Sequence, residues 1–146
     1  MTDNKETTRR IILNNETETR DFGLELGKSL QPGEVLALIG DLGTGKTALT
    51  RYIAEGLGIK ETITSPTFTI IHEYHEGRLP LYHFDVYRIG DMEEMYELGY
   101  EEYFYGKGVC VVEWADLIEE LLPPEAKRIY IEYGEREGER IYQCTF

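Results

Sequence analysis

The sequence predicts an α/β chain of three layers, with a central mixed, largely parallel sheet between helices. Three observations carry that expectation. Val35 to Ile39 is a continuous apolar run, the pattern of a strand buried on both faces of a parallel sheet, and it leads straight into a glycine-rich turn. Leu49, Ile53 and Leu57 follow that turn at helical spacing. Val109 to Val112 is a second buried strand, closed by the acid Glu113.

The remaining elements follow from local pattern. After a short apolar stretch, Arg10 to Leu13, the segment Thr17 to Leu30 sets Phe22, Leu26 and Leu30 four residues apart, one stripe of an amphipathic helix ended by Pro32 and Gly33. The helix after the glycine turn should stop at Gly58, whose missing Cβ suits a left-handed cap. Thr69 to Tyr74 and Leu79 to Val86 are rich in β-formers and flank His75, Glu76, Gly77 and Arg78, which predicts an antiparallel hairpin. In its second strand the period of two sends His83 and Asp85 to one face and Tyr82, Phe84 and Val86 to the other, a polar face opposite a buried one. Asp91 to Tyr105 carries six acids and no base, so one or two short surface helices are expected. That run is a candidate docking face, although a solvated helix face is the plainer reading. Arg128 to Tyr133 and Arg140 to Phe146 predict a closing hairpin around Gly134 and Gly138, with Tyr142, Cys144 and Phe146 on one face.

Composition bounds the function. A length of 146 residues fits one domain, 1–146, with a core of its own. Apolar residues make up 41% and charged residues 29%, which places the chain outside the disordered and membrane classes. Met1 to Arg10 is polar and lacks the apolar core of a signal peptide, so a cytoplasmic location is expected. The two cysteines, Cys110 and Cys144, form neither a metal-type pair nor a disulfide framework and should be buried thiols. A formal charge of −13 opposes direct binding to a phosphate backbone; if RNA is involved, another protein should hold it.

Gly40-Asp41-Leu42-Gly43-Thr44-Gly45-Lys46-Thr47 matches the P-loop pattern G-x-x-x-x-G-K-[ST] without a mismatch. Glycines let the backbone curl around phosphate oxygens, and the following helix offers an N-terminus worth roughly half a positive charge. Lys46 should reach the β- and γ-phosphates, and the Thr47 hydroxyl should ligate Mg²⁺. The N-K-x-D element that guanine-specific P-loop proteins use for the base is missing, as is its T-K-x-D variant, so ATP is the expected nucleotide. Glu113, at the end of a hydrophobic strand, stands in the Walker B arrangement with glutamate in place of the commoner aspartate. Asp85 shares a strand face with His83, and both can point at the phosphate cleft; His83 fits a hydrogen-bonded core histidine slightly better and stays outside the catalytic set, Lys46, Asp85 and Glu113. Ser65, Pro66, Thr67 and Phe68 form a segment whose hydroxyls suit a γ-phosphate-sensing switch. Trp114 is read as interior packing, with a contact beside the nucleotide as the sharper alternative.

These residues together resemble one family. GDLGTGKT from Gly40, SPTFT from Ser65, YHFDVYR from Tyr82 and VEW from Val112 occur in the order of the TsaE family, the small bacterial ATPases of tRNA threonylcarbamoyladenosine biosynthesis. The resemblance spans roughly residues 10 to 145. It implies a P-loop NTPase fold, Mg²⁺ held by Thr47 and Glu113, Asp85 beside the metal or the attacking water, and Ser65 to Phe68 as the first switch. Glu16-Thr17-Glu18-Thr19 looks like the family's acid-threonine stretch, which carries Thr19 over as an adenine contact. The resemblance also implies that the chain works with the partners TsaD and TsaB and does not itself transfer the carbamoyl group or hold tRNA. Two other classes compete. A small-molecule kinase would use Asp85 as base but needs a basic lid, and Arg78 and Arg88 are isolated. A non-catalytic module would use ATP only to order the segment from Ser65 to Phe68.

Overall fold

The computed structural model describes residues 9–41, 43–65 and 70–146, and the structural statements that follow are made of those residues. The apolar run from Val35 forms β2 (Val35–Gly40), and its neighbours on both sides are parallel: β5 (Val109–Glu113) and β6 (Lys127–Tyr133). A strand paired on both edges and covered on both faces must be apolar throughout, which is why alternation is absent there. β4 (Leu81–Asp85) continues the parallel set beside β5. Antiparallel strands finish each margin: β3 (Ile71–Tyr74) on β4, and β7 (Arg140–Cys144) followed by β1 (Arg9–Leu13) beyond β6. The seven-stranded order is β1-β7-β6-β2-β5-β4-β3. Both expected hairpins form, and the parallel strands sit at the centre.

Alternate residues of β2 feed two cores. Leu36 and Leu38 pack with Leu26 of α1 (Glu16–Ser29), with Leu30 just after it, and with Leu49 and Ile53 of α2 (Lys46–Gly56). Val35 and Ala37 pack on the other face with Phe84, Met95, Phe104 and Ile118, from β4, α3 (Met92–Leu98), α4 (Tyr100–Phe104) and the 3₁₀ segment Ala115–Leu121. Helices therefore cover both faces of the sheet. This corrects one expectation about β4: the face of His83 is not a polar surface, because α2 covers it and His83 is fully buried. Cys110 and Cys144 are buried free thiols, and burial pushes the Cys110 thiol up to about 12. No described helix is long and apolar enough to cross a membrane.

Helix ends are closed by identifiable groups. Asn15 caps α1 by accepting the Glu18 N–H at 3.0 Å. α2 gives way at Leu57, and Gly58 takes the left-handed turn at φ 85° while the Ile59 N–H returns to the Ala54 carbonyl. The C-terminal end of α1 is held from outside by Arg78, in the β3–β4 connection, whose Nη2 donates to the carbonyls of Gly27, Lys28 and Leu30 at 2.8–3.1 Å. A cation there also answers the negative end of the helix dipole. Arg78→Ala should therefore cost about 1–2 kcal/mol, seen as a fall of about 5 °C in a thermal melt. An unchanged melting temperature would show that water replaces those bonds without loss.

Candidate nucleotide site

β2 ends at Gly40 and α2 begins at Lys46, so the glycine loop lies between a strand end at the centre of the sheet and a helix N-terminus. Gly45 makes the junction at φ 103°, a left-handed conformation that a side chain would strain. Thr44 is buried and turns its hydroxyl onto the Asp41 carbonyl at 2.8 Å, which ties the loop to itself. From β7, Arg140 Nε donates to the Thr44 carbonyl at 2.9 Å, with its guanidinium 4.8 Å from the centre of the Tyr133 ring. Leu42, Pro66, Thr67 and Phe68 lie outside the described residues.

Lys46 is 5% exposed. Its ammonium donates to the carbonyls of Gly40 (2.7 Å) and Asp41 (2.9 Å) and sits 4.0 Å from the centre of the Trp114 ring. Burial lowers its pKa, and the charges of Glu113, Asp85 and Asp41 oppose that shift. Trp114 serves both readings: half-buried, it packs against the core built on Val35, Phe84 and Val112, and it borders the cleft. It occupies a left-handed conformation at φ 62°, stacks against the exposed Tyr87 with ring centres 4.6 Å apart, and lines the cleft.

The two candidate carboxylates meet at this helix N-terminus because β4 and β5 are parallel and in register, with Asp85 opposite Glu113. Thr47 Oγ1, in the first turn of α2, lies 3.0 and 3.1 Å from the two Glu113 oxygens and 3.2 Å from Ser65 Oγ. Ser65 Oγ in turn lies 3.5 Å from Asp85 Oδ2, and the buried His83 Nε2 lies 2.6 Å from Glu113 Oε2. Around them opens a cleft of about 270 Å³ lined by Gly43, Gly45, Lys46, Thr47, Ser65, Asp85, Glu113 and Trp114. A second cleft of about 160 Å³ shares Gly45 and Ala48 with the first and contains Glu16, Thr19, Tyr52, Arg140 and Tyr142. Thr19 thus stands beside the loop, away from the carboxylates.

One hydroxyl and one carboxylate in contact are hard oxygen donors of the kind Mg²⁺ accepts when phosphates and water complete its shell. Among the described residues no group of three or more His, Cys, Asp or Glu is placed to hold a metal ion.

The model of the family described as threonylcarbamoyl adenosine biosynthesis protein TsaE matches residues 13–142, nearly the whole chain. The chain belongs to the TsaE family. A Bacillus subtilis (strain 168) protein named tRNA threonylcarbamoyladenosine biosynthesis protein TsaE is 52% identical over 132 residues, 90% of this chain and 80% of the relative. A protein of the same name from Treponema pallidum (strain Nichols) is 45% identical over 114 residues, covering 78% and 84%. The crystal structure of YdiB from Bacillus subtilis superposes with a TM-score of 0.78 at 44% identity, covering 93% of this chain and 83% of that one. TsaE motifs thus account for Thr47, Asp85 and Glu113, which the fold brings together. They do not announce Arg140, which the alternation of β7 places two residues before Tyr142 on the same face, nor Tyr52, one helical turn beyond Ala48.

Proposed function

We propose that this chain binds ATP with Mg²⁺ on the loop from Gly40 to Thr47 and hydrolyses it for the threonylcarbamoyl modification of tRNA adenosine next to the anticodon. It does so in the cytoplasm, with TsaD and TsaB as partners. The observation that carries this reading is the contact of Thr47 with Glu113 at the N-terminus of α2, with Asp85 joined to them through Ser65. Backbone N–H groups of the loop and the helix dipole bind the phosphates. Lys46 exchanges its two carbonyl acceptors for β- and γ-phosphate oxygens. Thr47 and Glu113 would hold the metal, and Mg²⁺ bound there would supply neutralisation of charge on the departing phosphoryl group. Asp85, half-buried at the rim, accepts a hydrogen bond from the attacking water and orients it. Thr19, which lines the second cleft beside the loop, is the residue that would contact the adenine. A net charge of −13 suits a protein whose partners hold the tRNA.

Steady-state ATP hydrolysis, measured for the chain alone and with TsaD and TsaB, tests this. Slow turnover alone, a large rise with the partners, and loss of at least about 10²-fold in Lys46→Ala are expected. Tight ATP binding with no rise would overturn it and favour a metabolite kinase or a binding switch.

A further inference from the structure

His83 is an imidazole with no exposure, on a strand between Tyr82 and Phe84. Register pairs it with Val111 and places Glu113 diagonally ahead on the same face. Its Nε2 lies 2.6 Å from Glu113 Oε2, and its Nδ1 is buried without a hydrogen-bond partner among the described residues. A carboxylate oxygen accepts, so the ring nitrogen that faces it, Nε2, is assigned the hydrogen. Leaving Nδ1 unpaired is unfavourable, and a packing role alone would be filled better by an apolar residue. The ring's polar interaction is directed at one oxygen of one carboxylate.

That contact does something Thr47 does not. The Thr47 hydroxyl is almost equidistant from the two carboxylate oxygens, at 3.0 and 3.1 Å, and has one hydrogen to give. A terminal carboxylate torsion is soft, so Thr47 alone leaves the group free to rotate. The bond from His83 takes Oε2 and breaks that symmetry.

We propose that His83 is a positioning residue: it anchors Oε2 of Glu113 so that Oε1 is presented beside Thr47 to the metal of the nucleotide. This rests on the Mg²⁺–ATP reading of the site. A second contact that orients a metal-binding carboxylate is commonly worth 10–100-fold in metal affinity.

The test uses His83→Leu, which keeps bulk and removes the donor, and His83→Gln, whose side-chain amide places an N–H where Nε2 stood. Binding of a fluorescent ATP analogue is titrated with Mg²⁺ and repeated in EDTA, and each variant's thermal melt is recorded. We expect His83→Leu to need about tenfold more Mg²⁺ or greater, with its EDTA affinity unchanged, and His83→Gln to stay within about threefold of wild type. Wild-type Mg²⁺ dependence in both folded variants would overturn the inference, as would equal losses with and without Mg²⁺, the mark of a purely structural role. Loss in His83→Gln as large as in His83→Leu would also overturn it. If wild type itself showed no Mg²⁺ dependence, the reading of the site would fall and take the inference with it.

Discussion

Glu113→Ala should lower partner-stimulated ATP hydrolysis by about 10²- to 10³-fold, the scale seen when a preorganised group that stabilises a reacting centre is removed. Glu113 is 2% exposed and is the common acceptor of Thr47 and His83. Its loss removes a carboxylate that would face the metal and takes the acceptor from the buried His83 Nε2, a penalty of about 1–3 kcal/mol before any substrate binds, while the half-buried Thr47 keeps Ser65 as a partner. Nucleotide binding in EDTA should survive, because Lys46, the loop amides and the α2 dipole do not depend on Glu113. Single-turnover hydrolysis and EDTA binding separate the two effects. Hydrolysis within threefold of wild type would remove Glu113 from the mechanism, and loss of binding in EDTA would show that the residue acts through folding.

Gly27→Val should destabilise the fold by about 3 kcal/mol, the upper end of ordinary overpacking, and lower the melting temperature by about 10 °C. α1 and α2 cross at glycines: a Cβ on Gly27 would run into the Ile53 carbonyl and come within 2.9 Å of Gly56 Cα. Backbone atoms cannot rotate away as a side chain can, so the helices would have to separate. α2 carries Lys46 and Thr47, so separation should also weaken nucleotide binding. Circular dichroism melts with parallel ATP titrations check both effects. A shift under 2 °C would mean that the crossing accommodates a side chain.

Much of the molecule was legible because burial writes itself into local pattern. The apolar runs at Val35 and Val109 announce central strands, since a strand covered on both faces has no position for a polar side chain. The stripe Phe22, Leu26 and Leu30 announces α1, but not Gly23 and Gly27 on the same buried seam, because a glycine contributes no hydropathy signal to distinguish close approach from a loop. For Trp114 and His83 the sequence leaves two readings open. The tryptophan packs partly buried against the core and also lines the cleft; of the two readings of His83, the polar face and the hydrogen-bonded core histidine, the structure selects the second. In both cases exposure depends on which element lies across the sheet, and that is not a property of neighbouring residues.

By itself the sequence determined the α/β class, the phosphate loop with its strand and helix, and the candidate acids Asp85 and Glu113, because these follow from short-range periodicity and a contiguous motif. Tertiary structure alone decided that β4 lies beside β5 in parallel register, 28 residues apart at Asp85 and Glu113, and that Thr47, Ser65 and His83 converge on them. It also decided that Arg78 closes α1 and Arg140 braces the loop from the far end of the chain. These contacts are set by the order of strands in the sheet, which depends on how whole elements pack and is not encoded in any one segment.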